Sequence, residues 1–255
     1  MNRLSAAFGI FIRGGGWKSV ARILVRGKPP YFETCKYKLI ETRKYKLIDI
    51  ALRRLKKWGV SGDYFEFGLF RGRAFLSAYE LKKKYGVDMH LYGFDSFEGL
   101  PAVSGKDASW GVFNSGQYKC SIDDFEGILQ EFRVPQDAYT LIPGFYDKSL
   151  PAVASEGAIG SKQCALAYID CDLYESTVPV LEFLNSYLVG GSIIIFDDWF
   201  SFAGDPYAGQ IRAVREWEEK NKRFRLIEYC RSGNQVVFLV QDWDGNPPIY
   251  KRGDK

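Results

Sequence analysis

GDYFEFGLFRGRAF, residues 62–75, runs from an apolar stretch through a glycine-punctuated turn into a helix-forming segment. Tyr64–Gly68 reads as a strand and Ala74–Lys84 as the helix that follows it. The strand closes on Glu66-Phe67-Gly68, with Gly72 beyond. Glycine lacks a Cβ, so the backbone of such a turn can approach a ligand closely. The spacing Glu66-x-Gly68-x-x-x-Gly72 is not the GxGxxG dinucleotide fingerprint, which counts against a nicotinamide oxidoreductase.

Outward from this turn, strand-like and helix-like segments alternate. Leu91–Phe94 reads as a strand, Ile122–Phe132 as a helix and Ala138–Ile142 as a strand. Leu166–Ile169 reads as a strand, Thr177–Leu188 as a helix, Ser192–Phe196 as a strand and Gln210–Asn221 as a helix. Phe224–Tyr229 and Gln235–Val240 form a closing antiparallel pair. The expectation is an α/β fold with a mostly parallel seven-stranded sheet covered on both faces. No linker divides residues 61–255, which are expected to form one domain.

Residues 1–60 differ in character. They hold fifteen Lys or Arg against three Asp or Glu, a balance of +12; the formal net charge of +4 then leaves −8 for the remainder. Breaks at Gly14–Gly16 and Gly27–Pro30 bound a short helical stretch. The string GGGWKS lacks the GxxxxGK[ST] spacing of a phosphate loop. KYKLI at 36–40 recurs at 44–48, and Leu47, Ile48, Ala51, Leu52 and Leu55 then line one face of a helix that ends at Trp58-Gly59. A basic helical extension or lid over residues 1–60 is expected, attracting an anionic partner. Its stripe Leu47, Ala51 and Leu55 offers homodimerisation as the alternative role. Tyr31, Phe32, Tyr37 and Tyr45 are candidate surfaces for stacking on sugar rings.

No segment reaches the ~20 apolar residues of a membrane span. Leu4–Ile12 is apolar but short and without an A-x-A-like cleavage site, so it reads as a surface segment, not a signal peptide. Five cysteines without a CxxC pair point to a reducing, cytoplasmic setting and away from a zinc site. The basic arm leaves peripheral contact with the inner face of the membrane as an option. Cys171 reads as an apolar filler, and the single histidine, His90, as structural at a strand edge.

Ligands of an open parallel sheet bind at the carboxyl ends of its strands. Four expected strands end there in acids: Glu66, Asp95, Asp170 and the pair Asp197-Asp198. Asp95, at the end of the second strand, suits a carboxylate that accepts the hydroxyls of a ribose, so Glu66 and Asp95 together point to a nucleoside. Asp170, Asp197 and Asp198 sit at the ends of adjacent strands. Three crowded carboxylates repel unless a cation or protons intervene. Oxygen donors without Cys or His suit Mg²⁺, with Mn²⁺ or Ca²⁺ as alternatives.

The stretches GDYFEFGLFRGRAF (62–75), YGFDSFEGLP (92–101), LIPGFYDKSLP (141–151), YIDCDLYEST (168–177) and GGSIIIFDDWF (190–200) together resemble the macrocin O-methyltransferase (TylF-type) family. These class I S-adenosylmethionine-dependent methyltransferases act on sugar hydroxyls of antibiotics and other glycans. The resemblance implies a Rossmann-like fold, S-adenosylmethionine and Mg²⁺. It places cofactor contacts at Glu66, Phe67, Gly68, Gly72, Asp95, Ser96 and Asp170, with adenine near Gly144 and Phe145. It places metal at Asp170, Asp197 and Asp198, with Asp170 as the general base. The implied acceptor is a sugar or glycan; that it is anionic or lipid-linked is expected from the basic arm, not from the resemblance, and no DNA is expected. Trp199–Gly209 is longer than the family's usual link, and the basic arm matches no family motif. Catechol methyltransferases place a Lys three residues after the first metal Asp; here that position is Leu173. The competing readings are a metal-independent methyltransferase acting on RNA or a small molecule, and a non-catalytic partner subunit of the same fold.

Overall fold

The computed structural model describes residues 43–157, 159 and 162–243. Lys36 and Lys38, and the stacking candidates Tyr31, Phe32 and Tyr37, lie outside the described residues. The first described element is helix α1 (Arg43–Trp58). Its stripe Leu47, Ile48, Ala51, Leu52 and Leu55 is buried, as its spacing predicts. That stripe packs on the chain's own helix α2 (Arg73–Tyr85) and against strands β4 (Cys164–Ile169) and β5 (Leu188–Phe196). It is therefore taken up inside the fold and is not a surface for a second copy, which corrects the dimerisation alternative for these residues. Helix α1, assigned by sequence to the extension, thus belongs to the same compact unit as the sheet.

The sheet has seven strands in the order β3-β2-β1-β4-β5-β7-β6. Strands β1 (Asp63–Phe67), β2 (Leu91–Asp95), β3 (Tyr139–Pro143), β4 and β5 run parallel. Strand β7 (Gln235–Asp242) is antiparallel to β5 and to β6 (Phe224–Ser232). This is the mostly parallel sheet with a closing antiparallel pair that the alternation predicts. Central strand β1 is buried at all five positions, as a strand covered on both faces must be.

Period-2 alternation sends Tyr64 and Glu66 to the α1–α2 face and Phe65 and Phe67 to the other. On that second face, helices α5 (Tyr146–Glu156), α6 (Tyr174–Leu184) and α7 (Gly209–Lys220) cover a core that includes Phe65, Phe67, Phe94, Phe183 and Trp217. Phe67 stacks on Phe94 with centroids 4.6 Å apart, a contact worth about 0.5–1.5 kcal/mol beyond its buried area.

Some boundaries differ from the sequence reading. Helix α6 starts at Tyr174 and stops at Leu184, and β5 takes over from Leu188. Two helices were not foreseen: α3 (Gly105–Trp110), short and glycine-flanked, and α5, which carries Pro151 internally. Helix α4 (Ile122–Glu131) begins at an N-cap serine, Ser121, whose hydroxyl accepts from the Asp124 amide. Among the described residues, no helix is long and apolar enough to cross a membrane.

Candidate active site

Strands β1 and β4 are neighbours from which the chain leaves toward opposite edges of the sheet, so a crevice opens beyond their carboxyl ends. A cavity of about 720 Å³ lies there. Of the sequence-predicted residues, Gly68, Asp95, Ser96, Phe145, Asp170, Asp197 and Asp198 line it. Glu66, Phe67, Gly72 and Gly144 do not. Glu66 and Phe67 are 1% and 0% exposed, inside the sheet layer. Gly72 opens α2 with φ 69° and faces Phe125. Gly144 has φ 123°, and its amide donates to the Asp95 carbonyl at 2.9 Å. Tyr45 is the one stacking candidate among the described residues, and it too lies off the cavity lining.

The turns after the strands are tight. Phe70, Phe97 and Asp172 take left-handed φ of 45°, 58° and 61°, each costing roughly 1–2 kcal/mol for a residue with a Cβ. Such outliers cluster where a site must be held in shape. Gly68 has φ 93°, and a Cβ there would stand 1.9 Å from the Asp170 carbonyl oxygen. The glycine is thus required first by contact between the β1 and β4 turns, and only then by any ligand.

Asp95 ties the first two turns together. Its Oδ2 accepts from the Leu69 and Phe70 amides at 2.6 and 3.2 Å, and its Oδ1 from Phe97 at 2.7 Å. A carboxylate has about four acceptor sites, so roughly one remains for a cavity ligand.

On the far wall, one oxygen from each of Asp170, Asp197 and Asp198 lies within 4.8 Å of the others. The Tyr168 hydroxyl and the Gln235 amide both donate to Asp197 Oδ1, and Gln235 Nε2 also donates to the Tyr168 hydroxyl at 3.0 Å. Asp198 Oδ1 accepts from Ser201, whereas its buried Oδ2 has no hydrogen-bond partner among the described residues. Burial and then the like charge of Asp197 push Asp170 well up. Burial, with Asp172 and Asp197 beside it, does the same to Asp198. Burial also works upward on Asp197, but Lys44, Tyr168 and Gln235 outweigh it and hold that carboxyl below its ordinary value.

Sequence reasoning missed Lys44. From the first turn of α1 its ammonium reaches across the sheet ends to Asp170 Oδ2, and it stands 3.2 Å from Asp197 Oδ2. Burial alone would lower its pKa; Asp170 and Asp197 reverse that and hold it above the usual lysine value. Beneath lies Glu66, which accepts from the Tyr64 hydroxyl. Burial, partly offset by Tyr64 and Lys44, pushes its carboxyl up to about 8. Helical spacing cannot reveal Lys44's role, because its partner is 126 residues away.

His90 lies at the amino end of β2, on the opposite rim. Its amide donates to Asp63 at 2.8 Å and its Nε2 meets the Thr140 hydroxyl at 2.9 Å. Cys171 is buried, with its sulfur 3.4 Å from the Thr177 hydroxyl.

The outer rim is a cap that packs residues 103–113 against 199–209. Phe113, Leu173, Phe202 and Ala208 form a small apolar cluster of their own. Buried Asp107, on α3, accepts from the amides of Tyr174 at 2.7 Å and Gly209 at 2.9 Å. These are the first residues of α6 and α7, so one carboxylate satisfies two helix N-termini. Nearer the cavity mouth, exposed Phe70 and Tyr118 meet edge to face at 5.6 Å.

The profile of the Macrocin-O-methyltransferase (TylF) family matches residues 11–224, most of the chain. The chain belongs to this family. Among relatives, it is 28% identical over 147 residues to the 8-demethyl-8-(2,3-dimethoxy-alpha-L-rhamnosyl)-tetracenomycin-C 4'-O-methyltransferase of Streptomyces olivaceus, covering 55% of this chain and 54% of that protein. It is 28% identical over 149 residues to the mycinamicin III 3''-O-methyltransferase of Micromonospora griseorubida, covering 55% and 56%. The chain thus spans about half the length of the curated relatives it matches. The crystal structure of the calicheamicin methyltransferase CalS11 superposes with a TM-score of 0.65 at 22% identity, over 89% of this chain and 91% of that one. That likeness establishes the Rossmann-like methyltransferase fold of this family member.

Proposed function

We propose that this family member is an S-adenosylmethionine-dependent O-methyltransferase of a sugar hydroxyl, using a divalent cation held by Asp170, Asp197 and Asp198. The observation that carries the reading is the gathering of three carboxylates within 4.8 Å on the wall of a cavity whose other wall is Gly68 and Asp95. The donor set fits a hard cation such as Mg²⁺: it is all oxygen, and Asp198 contributes a buried oxygen without a hydrogen-bond partner among the described residues.

Asp95 keeps an acceptor site for the ribose of the nucleoside, while the amides it receives hold both flanking turns in place. Ser96 and Phe145 flank the same side of the cavity. Asp170 faces the cavity and, ionised beside a bound cation, would take the proton of an acceptor hydroxyl. When bound, the cofactor would supply the methyl on a sulfonium whose sulfur leaves as a neutral thioether, and a cation would supply Lewis acidity that lowers the hydroxyl pKa. Phe70 and Tyr118 offer apolar area to the C–H face of a sugar ring. The positive balance of residues 1–60 favours an acceptor that carries phosphate or carboxylate, in a cytoplasmic setting consistent with the free thiols Cys120, Cys164, Cys171 and Cys230 among the described residues. The name of the first relative, which specifies a rhamnosyl group and a 4'-O-methyltransferase, supports the sugar assignment.

Turnover should require divalent metal. Asp197→Asn should lower methyl transfer by roughly a thousandfold, about 4 kcal/mol of barrier, and leave calorimetric cofactor affinity within about twofold. Undiminished transfer after exhaustive chelation would remove the cation from the reading.

A further inference from the structure

We propose that Lys44 is a tethered counter-cation of the acid cluster, its ammonium holding the place between Asp170 and Asp197 that a divalent ion takes, so that the ion enters only as the lysine head leaves. This rests on the cation reading above.

The ammonium is bonded to Asp170 Oδ2 and lies 3.2 Å from Asp197 Oδ2. An ion ligated by the same two carboxylates at the ~2.0–2.1 Å of Mg²⁺ occupies the same space. Two cations that close repel, so the occupants exclude one another.

The fit of the lysine is incomplete, and this marks it as a placeholder. It reaches two of the three acids, and Asp198 Oδ2 stays buried without a hydrogen-bond partner among the described residues. A small ion has no stem and can touch all three. Lysine instead carries one charge on a long chain, and its ammonium lies on the Asp170–Asp197 side, 5.6 Å from the centroid of the Tyr168 ring.

The tether is rigid where it is rooted. Lys44 lies in the first turn of α1, which buried Leu47, Ile48, Ala51, Leu52 and Leu55 fix to α2 and the sheet. Only the side chain is left to move, and it already lines the cavity, so the head has somewhere to go. The effective concentration of such a tethered competitor is high. The negative charge of the site is therefore partly offset without metal, and the site binds divalent ions more weakly than its three carboxylates alone would.

The test is Mn²⁺ binding to the full chain at fixed pH, followed by electron paramagnetic resonance of the free ion and by calorimetry. Lys44→Met should bind Mn²⁺ at least tenfold more tightly than the parent, and Lys44→Arg, which keeps the charge, should bind it much as the parent does. If Lys44→Met does not fold in chelator, the Mn²⁺-induced rise in Tm is compared between the parent and Lys44→Gln; a larger rise in the variant supports the competition. Equal or weaker affinity in the neutral variants, or an equal or smaller Tm rise, overturns the proposal while leaving the cation reading intact. Failure of parent and variants alike to bind Mn²⁺ removes the cation reading, and this proposal with it.

Discussion

The loops after β1 and β2 and the cap over the outer rim enclose one cavity but are built by different means. The loops are held by backbone: Asp95 gathers three amides from two adjacent turns, and Gly68 lets the β1 turn touch the β4 turn at a distance no side chain tolerates. The cap is held by contacts over long separations, a carboxylate on two helix-start amides and a small cluster of apolar side chains. Asp107 and Gly209 are 102 residues apart, and Phe113 packs on Phe202 at 5.7 Å. A wall made of backbone leaves little freedom to vary and suits a ligand whose shape does not change. A wall made of side chains, with its own small core, can change without disturbing the strands. The contrast matches a site in which the methyl donor is constant and the acceptor differs between relatives.

The strongest challenge to this contrast is Gly68→Ala. The new Cβ meets the Asp170 carbonyl and must adopt a φ of 93°, so unfolding free energy should fall by roughly 3–5 kcal/mol in urea denaturation. A loss below about 1 kcal/mol would show that the wall yields as readily as the cap. Next come two substitutions with crossed readouts. Asp95→Ala should weaken cofactor binding by about 1.5–3 kcal/mol in calorimetry, typical of hydrogen bonds to a charged group. Asp107→Ala strips two helix-start amides of their acceptor and should lower stability by about 1–2 kcal/mol; the acceptor KM should rise while cofactor affinity holds. Equal loss of cofactor affinity in both variants would merge the two walls into one unit.

The effect that is smallest per step of the measured variable concerns the floor beneath both. Glu66 is buried, and its carboxyl is pushed up from 4.5 to about 8. The folded chain thus keeps a proton that the unfolded chain releases above about pH 4.5. The stability this contributes is fully present below that pH and is lost as pH rises through about 8. Unfolding free energy should fall by about 1 kcal/mol per pH unit between roughly 5 and 7.5. Glu66→Gln should flatten that slope, and an unchanged slope would mean that Glu66 is ionised in the folded state.

The sheet was legible because its signals are local: apolar runs of strand length, glycines at the turns and acids at the strand ends. The same locality explains where reading the strand ends fell short. Glu66 and Asp95 look alike in sequence, each an acid at the end of a buried strand. One side chain turns into the α1–α2 face, while the other stands at the last strand position and meets the cavity. Asp170, Asp197 and Asp198 converge because β4 and β5 are neighbours, which strand alternation foretells. Lys44 read as one more charge on a basic helix, because nothing within a helical turn distinguishes a lysine facing solvent from one reaching 126 residues onward. Helix α3 escaped notice because six residues carry too little periodicity to register.

The single carboxylate that seats α6 and α7 also bears on how such a chain can be remodelled. Lengthening a surface loop is thermodynamically cheap, about 0.6 kcal/mol for each doubling, so the span from Trp199 to Gly209 can grow at little cost provided Gly209 still finds Asp107. Transplanting that span alone from a relative strands either the carboxylate or the amides. Moving it together with the segment that bears Asp107 carries donor and acceptor across as a matched set, and makes the rim an exchangeable cassette on an unaltered sheet.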